Sequence, residues 1–150
     1  MLKEGDFLPK FSLPDQNGKI VDSESFVGKP LIVYFYPKDD TPGCTKEACS
    51  FRDAYADFKA KGAQVVGISA DGSTAHAKFA SKYELPFILL SDEEKNTIKA
   101  FGAWGEKSMY GKTYEGILRS TFVFGADGRV LRVFPKVKPE NHALEILPLL

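Results

Sequence analysis

The chain has very little cysteine, two thiols in 150 residues, at Cys44 and Cys49. That argues against a disulfide-stapled scaffold, and a domain of this length buries roughly 70% of the surface its unfolded chain exposes, so it folds without one. A surplus of either charge is missing too. Twenty basic side chains cancel twenty acidic ones, which speaks against nucleic acid or an anionic membrane as the main partner. No run approaches the ~20 apolar residues of a membrane span, and "MLKEGDFLPKF" carries no apolar leader region. Repeats, linkers and low-complexity segments are absent. The expectation is one domain over residues 1–150 with one hydrophobic core, in the cytoplasm. Thiols rest reduced in that compartment. Metal binding, thiol chemistry and plain buried packing then remain as readings of the pair.

What is present reads as alternating strands and helices. Asn17-Gly18 in "FSLPDQNGKIV" signals a hairpin, and "SESFVGK" a single helical turn. "PLIVYFYP", apolar and β-rich between two prolines, reads as a strand buried on both faces. "AQVVGISA" and "FILL" read as two more strands. Helices are expected from Pro42 to Lys61 with Gly62 as the stop, and over "STAHAKFASKYE" with Ser73 as cap. A third should open at the capping-box spacing of Ser91 and Glu94 and run through Phe101. "PENHALEILPLL" closes the chain as an amphipathic helix, with Pro139 in its first turn. Residues 103–116 read as a long aromatic-bearing loop. "ILRSTFVF" and "RVLRVF" flank Asp127-Gly128, a second hairpin signal. The order gives an α/β thioredoxin-like sandwich, with a mixed central sheet covered on both faces and an added N-terminal β-hairpin.

The stretch "YPKDDTPGCTKEACS" holds both thiols. Pro42 suits the first helical position, where a missing N–H is no loss, which makes Thr41 the N-cap and Cys44 the third helical residue. Unpaired first-turn amides and the helix dipole then favour a negative sulfur at that position. On a helical wheel Cys44, Ala48, Phe51, Tyr55 and Phe58 form one apolar stripe, and Cys49 sits about 140° away. An unbroken helix would hold the two Cα atoms roughly 8.7 Å apart, whereas a disulfide wants about 4.4–6.8 Å. The pair suits a bond made only after a conformational change. Zinc is disfavoured, because His76 and His142 are both far off in sequence. Each histidine reads as a plain surface or half-buried residue.

With these residues in view, the chain resembles a peroxiredoxin of the peroxiredoxin Q group, also called bacterioferritin comigratory protein. The resemblance covers nearly all 150 residues and rests on three pieces. These are Pro37, Thr41 and Cys44 in "PKDDTPGC", Cys49 at the subgroup's helix spacing, and Arg119 in "WGEKSMYGKTYEGILRSTFVF". It implies that Cys44 is the peroxidatic thiol in a pocket completed by Pro37, Thr41 and Arg119. It further implies that Cys49 resolves the sulfenic acid as an intramolecular disulfide, which a thioredoxin-type protein then reduces. The substrates implied are hydrogen peroxide and organic hydroperoxides, with no cofactor or metal, and the working form is a monomer. A protein thiol–disulfide oxidoreductase and a stoichiometric redox sensor stand as alternatives.

Ionisation alone does not make such a site. Lowering a thiol's pKa from ~8.5 to ~6 raises the thiolate fraction roughly 30-fold at pH 7, but reactivity falls roughly 10- to 18-fold, a net gain of about two- to threefold. Donors fixed on the departing oxygen contribute about 3 kcal/mol each. Arg119, the Thr41 hydroxyl and the amides of Gly43 and Cys44 are the candidates. Asp39 and Asp40 read as solvated loop residues. Trp104, Met109, Tyr110 and Tyr114 either wall the pocket or pack their own loop.

Overall fold

The computed structural model describes residues 1–150. Its strands are β1 (Ser12–Pro14), β2 (Ile20–Asp22), β3 (Leu31–Phe35), β4 (Gln64–Ser69), β5 (Ile88–Ser91), β6 (Trp104–Met109), β7 (Lys112–Ile117), β8 (Ser120–Phe124) and β9 (Val130–Phe134). The helices are α1 (Pro42–Asp53), α2 (Tyr55–Ala60), α3 (Ser73–Tyr83), α4 (Asn96–Ala100) and α5 (His142–Ile146). Five strands form a mixed sheet in the order β5-β4-β3-β8-β9. β3 runs parallel to β4 and antiparallel to β8.

All five residues of β3 are buried, because the strand has neighbours on both edges and cover on both faces. Ile32 and Tyr34 point to one core, with Phe51 of α1, Phe79 of α3 and Ile146 of α5. Leu31, Val33 and Phe35 point to the other, with Phe11, Phe26, Ile98 and Phe101. Fully burying one such side chain stabilises by roughly 1.5–3 kcal/mol. This is the expected thioredoxin-like sandwich, and β1 and β2 pair antiparallel as the added hairpin. The hairpin at Asp127-Gly128 joins β8 to β9. No helix is long and apolar enough to cross a membrane.

Several local expectations are corrected. The long helix breaks at Ala54, whose ψ of 4° leaves helical geometry before α2 restarts. Gly62 does follow as the stop. Ser91 opens no helix, because it is still paired with Ser69 in the sheet. Asp92 accepts the Ile98 amide at 2.7 Å instead, and α4 starts at Asn96. Gly72 takes the cap position of α3, and Ser73 is already helical. Pro139 lies outside α5, which begins at His142 after Asn141 in left-handed geometry. The expected loop over 103–116 is largely the β6–β7 hairpin. Its turn has Tyr110 and Gly111 at φ of 53° and 77°, the two positive values that a tight two-residue hairpin turn requires. Seven of the twelve residues in these two strands are exposed and only Ile117 is buried, so no apolar alternation announced them.

Candidate active site

α1 starts where the C-terminal end of β3 delivers the chain to the Pro37–Thr41 loop. Thr41 is extended, with φ −94° and ψ 156°, and Pro42 enters the first turn. The Thr41 hydroxyl does not cap the helix. It donates to the Lys38 carbonyl at 2.9 Å and braces the loop. Cys44 then falls on the inner side of α1, 1% exposed, beside Tyr34, Tyr36, Ala48 and Phe51. Cys49 is half-buried on another face, and both thiols are free.

Arg119 occupies the short link between β7 and β8. Its backbone carbonyl accepts the Val137 amide at 3.0 Å, which fixes the base of the side chain. The guanidinium lies over the first turn of α1. Nη2 donates to Cys44 Sγ at 3.2 Å, and Nη1 donates to Glu47 Oε1 at 2.8 Å. Gly43 leaves room for this approach, since a Cβ there would sit 3.2 Å from Arg119 Nη2 and press the guanidinium back by a few tenths of an ångström. Burial works against the Arg119 charge, but Cys44 and Glu47 outweigh it and hold the group above its ordinary pKa. One side of Arg119 lines an open hollow of about 520 Å³ with Pro37, Lys107, Leu118, Pro135 and Val137. Burial and the neighbouring Arg119 together push the Lys107 ammonium down. Cys44 is therefore enclosed, yet it lies directly behind a guanidinium that opens to solvent.

Pro37, Thr41, Cys44 and Arg119 thus share one end of the sheet, and Cys49 lies further along α1. Glu47, absent from the sequence reading, is the addition. It is fully buried, and its second oxygen, Oε2, has no protein hydrogen-bond partner. Burial pushes its pKa up to about 7, with Arg119 pulling the other way. Helix spacing places residue 47 beside Cys44, three positions on, but nothing local marks it as buried or names Arg119 as its partner.

Three other expectations change. Asp39 is not solvated. Its side chain is 6% exposed, and it accepts from the Tyr36 hydroxyl and contacts His76 Nδ1, both at 2.6 Å. His76 is fully buried and His142 nearly so, neither at the surface nor half-buried. Asp40 is exposed as expected, and bonds Lys82 and Tyr83. The aromatic residues of the hairpin do not line the hollow. Lys95 and Lys99 cover the ring of Trp104, while Met109, Tyr110 and Tyr114 are exposed. Ligand-type atoms of Asp39, Asp71 and His76 lie within 4.8 Å of one another, but protein hydrogen bonds already occupy them.

Residues 5–133 match the AhpC/TSA family. The chain is 50% identical over 141 residues to peroxiredoxin Bcp of Escherichia coli strain K12, covering 94% of this chain and 90% of that one. It is 43% identical over 143 residues to peroxiredoxin Bcp of Bacillus subtilis, covering 95% and 91%. Among solved structures, it resembles a cysteine-to-serine variant of Xylella fastidiosa PrxQ with a TM-score of 0.93 and 33% identity, over 99% of this chain and 95% of that one. Xanthomonas campestris bacterioferritin comigratory protein, in a study of its alkyl peroxide reduction, gives a TM-score of 0.87 and 37% identity, over 93% and 88%.

Proposed function

The chain belongs to the AhpC/TSA family as a peroxiredoxin of the Bcp and PrxQ kind, a peroxidase, and from that premise we propose that Cys44 is the thiol oxidised by peroxide and Cys49 the thiol that resolves it. In the first step the Cys44 thiolate attacks one peroxide oxygen. An S–O bond forms, the O–O bond breaks, and the departing alkoxide or hydroxide takes a proton to leave as alcohol or water. In the second step the Cys49 thiolate attacks the sulfenic sulfur, the S–S bond forms as the S–O bond breaks, and the departing hydroxide takes a proton to leave as water. With only two cysteines in the chain, a closed Cys44–Cys49 bond leaves no internal thiol to reopen it, so an outside reductant is required. A thioredoxin-type protein in that role, the cytoplasm as compartment and a monomeric working form belong to the same reading.

The observation that carries it is the 3.2 Å contact between Arg119 Nη2 and Cys44 Sγ, at the edge of an open hollow. A guanidinium there faces charge that develops on the departing oxygen, alongside the first-turn amides of Gly43 and Cys44, which have no partner within the helix. The hollow, about 520 Å³, is many times the ~30 Å³ share of a water molecule. That supports organic hydroperoxides as substrates beside hydrogen peroxide.

Disulfide closure needs motion. α1 is continuous through both cysteines, which holds their Cα atoms roughly 8.7 Å apart on ideal geometry, beyond the reach of an S–S bond. The far end of α1 is pinned. Phe51 is fully buried, Ser50 Oγ accepts the Ala143 amide at 3.1 Å, and Arg52 donates to the Tyr83 carbonyl at 3.0 Å. Unwinding is thereby confined to about residues 42–49. The test is intact-protein mass spectrometry after one equivalent of peroxide. Loss of two hydrogens, mapped to a 44–49 link, is expected. In Cys49→Ser the first oxidation should survive while thioredoxin-dependent turnover collapses; unchanged recycling would overturn the resolving role.

A further inference from the structure

We propose that the Asp39–His76 pair is the fixed anchor that holds the Pro37–Thr41 loop, and with it the first turn of α1, in the geometry that meets peroxide. The strength of this anchor then sets how the sulfenic acid divides between disulfide closure and further oxidation. The inference rests on the peroxidase reading above and adds two positioning residues to it, neither of which touches the reacting sulfur.

The loop has little reason of its own to keep its shape. Asp40 sits at φ 57°, a left-handed conformation that non-glycine residues adopt only when their surroundings favour it. Asp40 itself is exposed, and its bonds to Lys82 and Tyr83 are surface contacts, worth little on their own. The Thr41 hydroxyl braces the loop only against Lys38 within it. What ties the loop to the body of the protein is Asp39, from three directions. Tyr36 Oη donates to Oδ1 and His76 Nδ1 meets Oδ2, each at 2.6 Å. The Asp39 amide donates to Asp71 Oδ2 at 2.9 Å, and Asp71 is held in turn by Ser69 Oγ at 2.7 Å.

His76 stands one turn into α3 with no exposed surface. Its Nε2 lies 2.9 Å from the Leu90 carbonyl, which can only accept, so Nε2 donates there. A proton is therefore also held between Nδ1 and Asp39 Oδ2, whichever atom carries it. The ring cannot turn away without giving up both contacts. The anchor thus joins the end of β3, the end of β5 and the start of α3 to one loop carboxylate, just upstream of the helical turn that must unwind for disulfide closure. With Asp39 fixed on one side and Ser50 to Arg52 pinned on the other, the mobile stretch has two defined ends.

The two oxidative steps want opposite things from this stretch. Attack on peroxide needs the turn folded under Arg119, whereas closure onto Cys49 needs it unwound. A weaker anchor should slow the first step and speed the second. Since a sulfenic acid that closes quickly escapes oxidation to the sulfinic form, the yield of sulfinic acid at excess peroxide should fall.

The test begins without peroxide, by amide exchange of the reduced protein in three variants. Asp39→Ala breaks the anchor at a loop residue outside both hydrophobic clusters, leaving the Tyr36 hydroxyl and His76 Nδ1 without that acceptor. His76→Gln keeps a group near Nε2 facing Leu90 but has none at Nδ1; His76→Asn does the reverse and should rescue. We expect amides 43–49 to exchange about tenfold faster in the first two and within about threefold of wild type in the third, with β4 unchanged. In the first two, oxidation of Cys44 should slow about tenfold and the sulfinic yield at excess peroxide should drop. Unchanged exchange in Asp39→Ala and His76→Gln overturns the proposal, as does equal acceleration in β4, which would mark general destabilisation. Failure of the peroxidase reading is seen separately, as a wild-type Cys44 that peroxide leaves untouched while the exchange result stands.

Discussion

Two carboxylates eight residues apart, Asp39 and Glu47, flank Cys44 in the chain, and the fold treats them in opposite ways. Asp39 has both oxygens engaged, by Tyr36 and by His76. Glu47 is the more deeply buried, yet only one of its oxygens has a protein partner, Arg119. The reason is that Arg119 divides its donors, one nitrogen to Glu47 and the other to the Cys44 sulfur. A buried carboxylate left half-satisfied costs stability, and that cost appears at Glu47 as a pKa pushed up to about 7 by burial. The saturated pair lies away from the sulfur and the unsaturated one touches it through a shared guanidinium. Departures from full polar satisfaction are expected where chemistry is done.

The largest effect on this comparison should come from Arg119→Ala, which removes the donor to the sulfur and the only partner of Glu47 together. Loss of one such donor lowers a rate by about 10²- to 10³-fold, and the first oxidation of Cys44, followed by stopped flow, is expected to fall by that much. Ordinary thiols ionise near pKa ~8.5, so about pH 9–10 supplies thiolate without help. The deficit should persist there if, as proposed, Arg119 acts mainly on the peroxide oxygens. Full recovery at that pH would reduce its role to ionising the thiol and remove the asymmetry between the two pairs.

Glu47→Gln tests the unsatisfied side through stability. A carboxyl raised from 4.5 to about 7 by burial holds its proton in the folded protein after the unfolded chain has released it. The unfolded state therefore binds fewer protons between those values, and stability falls as pH rises through the window, by about 3 kcal/mol in total. Glutamine cannot titrate. Urea unfolding at about pH 4.5 and about pH 8 should show the difference between variant and wild type moving in the variant's favour by about that amount. Parallel pH profiles would mean that Arg119 fully compensates the buried charge, and that the two carboxylates are not treated differently after all.

The same contrast explains what could be read before the fold was known. Cys44 was legible because a local rule places it, at a proline-opened helix start, whereas Arg119 was reached through the family resemblance, with which its place just before a β-rich run agrees. The central strand was legible because both its faces are buried and five apolar residues in succession record that. Glu47 was not, since its partner lies 72 residues away and nothing local marks a glutamate as buried. Asp39 likewise looks like an exposed loop acid until α3 brings His76 to it across 37 positions. The β6–β7 hairpin escaped for the converse reason, as strands with both faces largely in water carry no apolar period to read.

The smallest expected effect belongs to Tyr34, whose hydroxyl is the other unpartnered oxygen on this side of the core. Burial, and after it the charges of Glu47 and Cys44, push its pKa well up, so the phenol stays neutral and serves no charge. The ring stacks on Phe51 with centroids 4.7 Å apart, and a phenylalanine would keep that contact. Removing a buried hydroxyl that has no partner is neutral or mildly stabilising, by about 1 kcal/mol. Tyr34→Phe should therefore raise the urea midpoint slightly or leave it unmoved, with the rate of Cys44 oxidation unchanged. Destabilisation by more than about 1 kcal/mol would show that the hydroxyl does bond in solution, with Glu47 Oε2, the other buried oxygen without a partner, as the candidate acceptor. The carboxylate beside the sulfur would then be as fully satisfied as Asp39, and its raised pKa would need a different cause.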